Sequence, residues 1–221
     1  MSLVGRILAL VCIGFVLVQS WFFAQVIWFV FADPQDTAFM REQAQRVGQL
    51  RHQVVPYDRI AAHLKRAVIA AEDQNFERHD GIDWDAIEKA WMRNMEKGKV
   101  VRGGSTITQQ LAKNLFLSGE RSYWRKAQEA LITLMLELAM DKRRILHLYL
   151  NYVEWGVGVF GAEAAARHYY GVSAARLSAE QAARLAAMLP RPRHYDRNRQ
   201  SPFLDARTAF VLRWMAQMPV P

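Results

Sequence analysis

Two groups of residues in this chain are of types that move protons or hold anions. The first is the run Ala70-Ala71-Glu72-Asp73-Gln74-Asn75-Phe76-Glu77-Arg78-His79-Asp80-Gly81. Its adjacent carboxylates, Glu72 and Asp73, end an apolar helical stretch (Ala67, Val68, Ala71), and a glycine closes the turn. A carboxyl group at such a boundary is partly desolvated, which raises its pKa toward the range useful for proton transfer. A pair that merely solubilises a helix end would look the same. The second group is Arg121, Arg125 and Glu129, placed at helical spacing on one face, with Lys126 beside them and Lys113 one helix earlier. A solvated, salt-bridged face and an anion-binding face both fit that spacing. Between the groups lies Arg102-Gly103-Gly104-Ser105-Thr106-Ile107-Thr108-Gln109-Gln110. Its glycines permit a sharp turn, and Ser105 or Thr106 stands where a cap is needed. The free amides of such a helix start attract anions, although an ordinary capped loop has the same sequence pattern.

Helices must position these groups. Ile60, Ala61, Leu64, Ala67, Val68 and Ala71 recur at helical spacing, which predicts a helix from about Tyr57–Asp58 with Asp58 as its cap. A second helix should start at Asp83 and run through Ile87 and Trp91, fading in a polar segment, so that Trp91–Arg102 reads as a mobile flap. A third follows the Gly-Gly-Ser-Thr turn to Leu115, and a fourth runs from after Ser122 to about Met140. The core stripe of the fourth reads as Ala127, Ala130, Leu131, Leu134, Met135 and Leu138. Lys142 to Val153 forms another helix with Ile145, Leu148 and Tyr149 inward, and Ala162 to Tyr170 a short one closed by Gly171. Ser178-Ala179-Glu180-Gln181 is a capping box for a helix ending at Pro190, and the last helix starts at Pro202 after Ser201. With no repeat and no alternating strand pattern, the fold class is mainly α.

The N-terminal region differs in kind. From Ile7 to Ala32 there is no charged residue, and the segment is long enough to cross a hydrocarbon core of about 30 Å as one helix. Trp21, Phe22, Phe23, Trp28 and Phe29 crowd its C-terminal half, as interfacial aromatics do. The run exceeds the apolar region of a cleaved signal peptide and shows no clear Ala-x-Ala site, so it reads as an uncleaved anchor. Residues 1–6 are then a short cytoplasmic tail, 7–32 the transmembrane helix, 33–56 a polar linker and 57–221 a single domain. Arg6 before the span and Asp33 and Asp36 after it orient the domain away from the cytoplasm. The single cysteine, Cys12, lies in the span, so the exported part has to be held by its core alone. Nearly all of the net charge of +8 belongs to that part. A basic domain beside a membrane suits anionic head groups or a phosphate-bearing lipid, and by charge alone nucleic acid as well.

An acidic helix end, a Gly-Gly-Ser-Thr turn and a basic helix face, in this order and at these separations, resemble the family 51 glycosyltransferases, the peptidoglycan glycosyltransferases that polymerise lipid II. The likeness runs from about Ala67 to Pro190. Its motifs are Glu72 to Gly81, Gly103 to Asn114, Arg125-Lys126-Ala127-Gln128-Glu129, Lys142 to Asn151, and Gly161 to Ala166 through Tyr170-Gly171. The resemblance implies a lysozyme-like helical glycosyltransferase domain, with a head and a membrane-proximal jaw, behind the transmembrane helix. It implies Glu72 as general base and Glu129 as a second catalytic carboxylate, one that orients the surrounding cations or holds a divalent ion such as Mg2+ or Mn2+. Lys113, Arg121, Arg125 and Lys126 would bind the substrate's pyrophosphate, with Ser105 and Gln110 on the donor sugar or phosphate. Asp73, Phe76, His79 and Gly104 would support the shape of the site. The family often carries an arginine where this chain has Lys89, so charge is kept there and forked recognition lost.

The implied reaction is inverting transfer from lipid II and the growing glycan chain, at the outer face of the bacterial inner membrane. Membrane lipid and division or elongation proteins are the implied partners, and nucleic acid is not. No Ser-x-x-Lys or Lys-Thr-Gly occurs, so the likeness is to monofunctional members without a transpeptidase unit. Two other functions fit parts of the pattern. A lysozyme-like murein hydrolase or lytic transglycosylase would share the fold and the glutamate. A non-catalytic, membrane-tethered module for anionic lipid or an envelope partner would need only the anchor and the charge.

Overall fold

The computed structural model describes residues 2–98, 104–117, 119 and 122–221, the side chain of Asn94 apart. Helix α1 (Leu3–Phe31) is long and apolar enough to cross a membrane. Its first half is almost wholly exposed, and its second half docks on the rest of the protein. Val26 is completely buried there, and Phe22 and Phe29 pack on Phe116 with ring centroids 5.9 and 5.8 Å apart. Gln19, a polar residue within the span, exchanges two hydrogen bonds of 3.0 and 2.9 Å with Gln128. Arg144 holds the end of the helix, donating at 2.8 Å to the carbonyls of Phe29 and Ala32 and at 2.7 Å to Asp33.

The body of the protein is built on α3 (Ala62–Glu72), α9 (Ala179–Met188) and α11 (Pro202–Met215), which pack against one another. Small residues make this close approach feasible: Ala182, Ala183, Ala186 and Ala187 of α9 are buried in the same core as Ala67, Val68 and Ile69 of α3. Complete burial of side chains such as Leu64 and Ile69 contributes about 2–3 kcal/mol each. A second layer centres on α5 (Ile107–Phe116), which lies against α2 (Ala38–Val47), α6 (Tyr123–Ala139) and α7 (Lys142–Tyr152). α4 (Trp84–Glu96), α8 (Ala162–Tyr170) and the short α10 (Pro192–Arg197) complete the described helices.

Several elements differ from the expectation. The stretch 33–56 holds α2, whose Met40 and Gln43 are buried, and strand β1 (Arg51–His52). β1 pairs in parallel with β3 (Val159–Phe160), which pairs antiparallel with β2 (Glu154–Gly156), giving a three-stranded sheet in the order β1-β3-β2. Strands of two or three residues are too short to show an alternating pattern. Tyr57–Arg59 is a 3-10 turn, and α3 begins after it without a side-chain cap. α4 continues as regular helix to Glu96, while residues 99–102 of the expected flap lie outside the described residues.

The largest difference is in α6. Its buried residues are Glu129, Ile132, Thr133 and Leu136, whereas Leu134 and Leu138 of the expected core stripe are 49% and 80% exposed. This helix is apolar on two faces. One faces the core, and the other, with Leu134 and Leu138, is exposed.

Gly81 closes the loop between α3 and α4 at a φ of 86°, in the left-handed region. A Cβ at that point would stand 2.7 Å from Thr133 Cγ2 and 2.8 Å from Glu137 Cγ on α6. Gly81→Ala is therefore expected to destabilise by about 2–4 kcal/mol, from backbone strain and overpacking together. Thermal or denaturant unfolding of the detergent-solubilised protein measures this, with Gly171→Ala (φ 67°, open space around the Cβ) as the smaller, strain-only control.

Candidate active site

The loop after α3 is fixed by a carboxylate that is fully employed. Asp73, buried, accepts from His79 Nε2 at 2.9 and 3.0 Å and from the Ile107 amide, the first of α5, at 3.0 Å. His79 Nδ1 accepts from the Gly81 amide at 3.1 Å, and the Gly81 carbonyl accepts from Thr106 Oγ1 at 2.6 Å. Thr106, rather than Ser105, caps α5, in a capping box with Gln109. Phe76 is buried beneath this loop, 4.8 Å under the ammonium of Lys142, which also donates to the His79 carbonyl at 2.6 Å. Asp83 caps α4 and accepts from Asn75 at 2.9 Å. Asp73, Phe76 and His79 are thus brought together as loop-shaping residues. Gly104 lies against Ile87 of α4, where a Cβ would come within 3.1 Å of the Ile87 Cα.

This frame leaves Glu72 at the end of α3, facing a cleft of about 810 Å³. Ser105, Gln110 and Pro190 line one part of the wall, Lys89 and Arg93 of α4 with Lys97 just after it another, and Arg207 and Phe210 of α11 a third. Burial pushes the Glu72 carboxyl above its ordinary value of 4.5, opposed by a hydrogen bond from Gln110 and by the charge of Arg207. Gln110 Nε2 donates to Glu72 Oε2 at 2.9 Å, and Arg207 approaches Oε1 at 3.4 Å. Gln110 Oε1 in turn accepts from the hydroxyl of Tyr149, a fully buried residue of α7, at 2.9 Å.

One turn further along α5 stands a second, oppositely built centre. Glu129, only 3% exposed, accepts from Arg125 at 3.0 Å and pairs with Lys126. Lys113, on the same face of α5 as Gln110, feels the negative charge of Glu129 and the positive charges of Arg125 and Lys126. Its ammonium is pulled below the ordinary 10.5 mainly by burial. Lys126 also reaches Ser105 Oγ at 3.3 Å, tying this cluster to the cleft wall. Arg121 lies outside the described residues.

Each carboxylate oxygen of Glu129 accepts from one cation, Oε2 from Arg125 and Oε1 from Lys126. Asp73, His79 and Asp83 place one ligand atom each within 4.8 Å of one another, but each is engaged by the loop contacts described above.

The family model for transglycosylases matches residues 40–216. The chain belongs to the transglycosylase family. Among its relatives, the biosynthetic peptidoglycan transglycosylase of Herminiimonas arsenicoxydans is 61% identical over 93% of this chain and 91% of its own length. The protein of that name from Bordetella pertussis is 57% identical over 97% and 93%, and that of Nitrosospira multiformis 54% over 92% and 91%.

Against this family background the sequence reasoning missed Arg207 and Tyr149. Arg207 sits on a C-terminal helix expected only to complete the core, and no local pattern distinguishes it from the chain's other arginines. Tyr149 was expected to point inward and does, but its partner could not be read from spacing within α7.

Replacing Asp73 by Ala leaves His79 and the Ile107 amide without an acceptor in a buried place. The expected loss is about 1–3 kcal/mol of stability, since each orphaned donor keeps its desolvation cost. Melting curves check it, and a drop no larger than that of a surface Asp→Ala change such as Asp85→Ala would refute the bracing role.

Proposed function

We propose that this protein polymerises lipid II into linear glycan strands by inverting glycosyl transfer, releasing undecaprenyl pyrophosphate. The observation that carries this reading is the division of labour between two carboxylates on either side of one turn of α5. Glu72 is desolvated and lines the cleft, and Glu129 is saturated by cations. Glu72 takes the proton of the acceptor sugar's 4-hydroxyl. That oxygen forms the new bond to the anomeric carbon of the donor, and the bond to pyrophosphate breaks with its electron pair leaving on the phosphate oxygen. Negative charge gathers there in the transition state, so Lys113, Arg125 and Lys126 stabilise it more than the ground state. Arg121 belongs with them by its place in the sequence. Glu129 keeps these cations apart and aimed. Ser105, held by Lys126, and Gln110 contact the donor. Lys89, Arg93 and Lys97 on the opposite wall hold the sugar chain or its phosphate by charge.

A divalent ion such as Mg2+ or Mn2+, where one takes part, would be held near Glu129 and would neutralise charge on the pyrophosphate. Helix α1 anchors the domain in the inner membrane, with the cleft on the periplasmic side, where lipid II is presented. Growing glycan, membrane lipid and proteins of the division or elongation machinery are its partners there.

The deciding experiment offers the full-length protein lipid II and, separately, finished murein. Polymer from lipid II is expected. Fragments released from murein without such polymer would overturn the proposal in favour of a hydrolase or lytic transglycosylase. Glu72→Gln should lower polymerisation by a factor of about 10³ or more, general-base loss compounded by loss of the charge that positions the acceptor. Near-normal turnover would eliminate Glu72 as the base. Glu129→Gln should fall by about 10²-fold, through misplaced cations.

The raised pKa of Glu72 also fixes the sign of a stability effect. The folded state binds its proton more tightly than the unfolded chain does. The contribution is therefore greatest below the ordinary value of 4.5 and is lost as pH rises through the raised one. Glu72→Gln is accordingly expected to melt at or above wild type at pH 8, with the difference vanishing near pH 4. Melting curves at the two pH values test this independently of activity.

A further inference from the structure

Tyr149 is fully buried on α7, and its hydroxyl has one hydrogen-bond partner among the described residues, Gln110 Oε1 at 2.9 Å. The other end of the Gln110 carboxamide donates to Glu72 Oε2 at 2.9 Å. These contacts form a chain from Tyr149 through Gln110 to Glu72. Two proton arrangements of it are conceivable. With Glu72 ionised, the tyrosine donates to the amide oxygen and the amide nitrogen donates to the carboxylate, so every group is satisfied. With Glu72 protonated, the acid proton reaches Gln110 only if the amide flips, which would leave the buried tyrosine proton without its acceptor. The unflipped amide instead donates to the carboxyl's remaining carbonyl oxygen, a weaker bond than the one to the carboxylate, so this orientation favours the ionised form.

We propose that Tyr149 is a positioning residue for the reaction: by donating to Gln110 Oε1 it fixes the carboxamide with its N–H toward Glu72, and so holds that carboxylate as a proton acceptor. The inference rests on the reading of Glu72 as the base. It explains why a tyrosine far from the cleft surface and a glutamine on its wall share a hydrogen bond across two helices. Among the described residues, the other charged groups around Glu72 are the adjoining Asp73, Arg207 from α11 and, lining the same cleft, Lys89 and Arg93 of α4 and Lys97 just after it. Arg207 and the other cations favour the ionised form whatever the amide does, and Asp73 opposes it. The amide orientation is the component that Tyr149 alone sets. Burial drives the Tyr149 hydroxyl well above its ordinary value of 10.0, so it remains a donor throughout the range in which Glu72 titrates.

The test is the pH profile of kcat/KM for lipid II polymerisation by the full-length protein, for wild type, Tyr149→Phe, Gln110→Leu and the double variant. In Tyr149→Phe the acid limb should move to higher pH, with a loss of about tenfold at its foot and less than about threefold on the plateau. Gln110→Leu should move the limb in the same direction, and the double variant should match Gln110→Leu alone, because the tyrosine acts through the amide. An acid limb that stays in place in Tyr149→Phe, or shifts that add in the double variant, would overturn the proposal. If Tyr149→Phe does not fold, an unmoved limb in Gln110→Leu overturns it from the other end. Glu72→Gln separates the two levels. Activity retained there removes the base itself, whereas an inactive Glu72→Gln beside an unmoved Tyr149→Phe limb removes only the role of Tyr149.

Discussion

Asp73 joins two pieces of backbone that are far apart in the chain, the loop leaving α3 and the first amide of α5. Most of the site follows from that junction. It places Gln110, one turn into α5, beside Glu72, and it places the other end of the same helix against the cations of α6. It also decides which of two adjacent acids is available. A carboxylate that accepts from an imidazole and a backbone amide is held by those donors, while its neighbour, turned toward the cleft, keeps only one close donor and an arginine at 3.4 Å. Identical functional groups at neighbouring positions thereby acquire different tasks through their surroundings alone.

The cationic centre follows the opposite logic. Three positive side chains close together would repel one another, and burial already pulls the Lys113 ammonium down. Glu129 stabilises the arrangement in the absence of any anion, at the expense of part of the local field. An anion carrying more charge than one carboxylate would compete with Glu129 for the same donors. A site organised in this way is ordered before binding and still has electrostatic stabilisation left for charge that develops during the reaction.

Much of this was legible in the sequence. Helix starts at Asp83, Ser122, Ser178 and Pro202 are where the capping and proline rules put them, and Gly171 ends α8 in the left-handed conformation. The acidic loop and the α6 cations were visible because their members are close in the chain. Arg207 and Tyr149 were not, since each meets the site through a tertiary contact over a long separation and leaves no spacing to read. The inverted stripe on α6 has a different origin. Periodicity reports that a face is apolar and says nothing about what covers it, protein or lipid. Leu134 and Leu138 satisfy the helical template as well as Ile132 and Leu136 do, and only the packed structure tells them apart.

The packing of α1 also bears on how the domain stands relative to the membrane. Helix α1 is attached at three levels: the Gln19–Gln128 pair, the Phe22 and Phe29 contacts with Phe116, and the Arg144 clamp on its last carbonyls. A flexible tether would need none of these. Gln128 directly precedes Glu129, and Phe116 lies one turn beyond Lys113, so the docked helix touches the very elements that hold the cationic centre. A lipid-linked substrate has its pyrophosphate at the membrane surface, at a height set by the bilayer. Docking α1 on α5 and α6 fixes where the cations stand relative to that helix. The helix, long and apolar enough to cross a membrane, is therefore also part of the packing that holds the cationic centre.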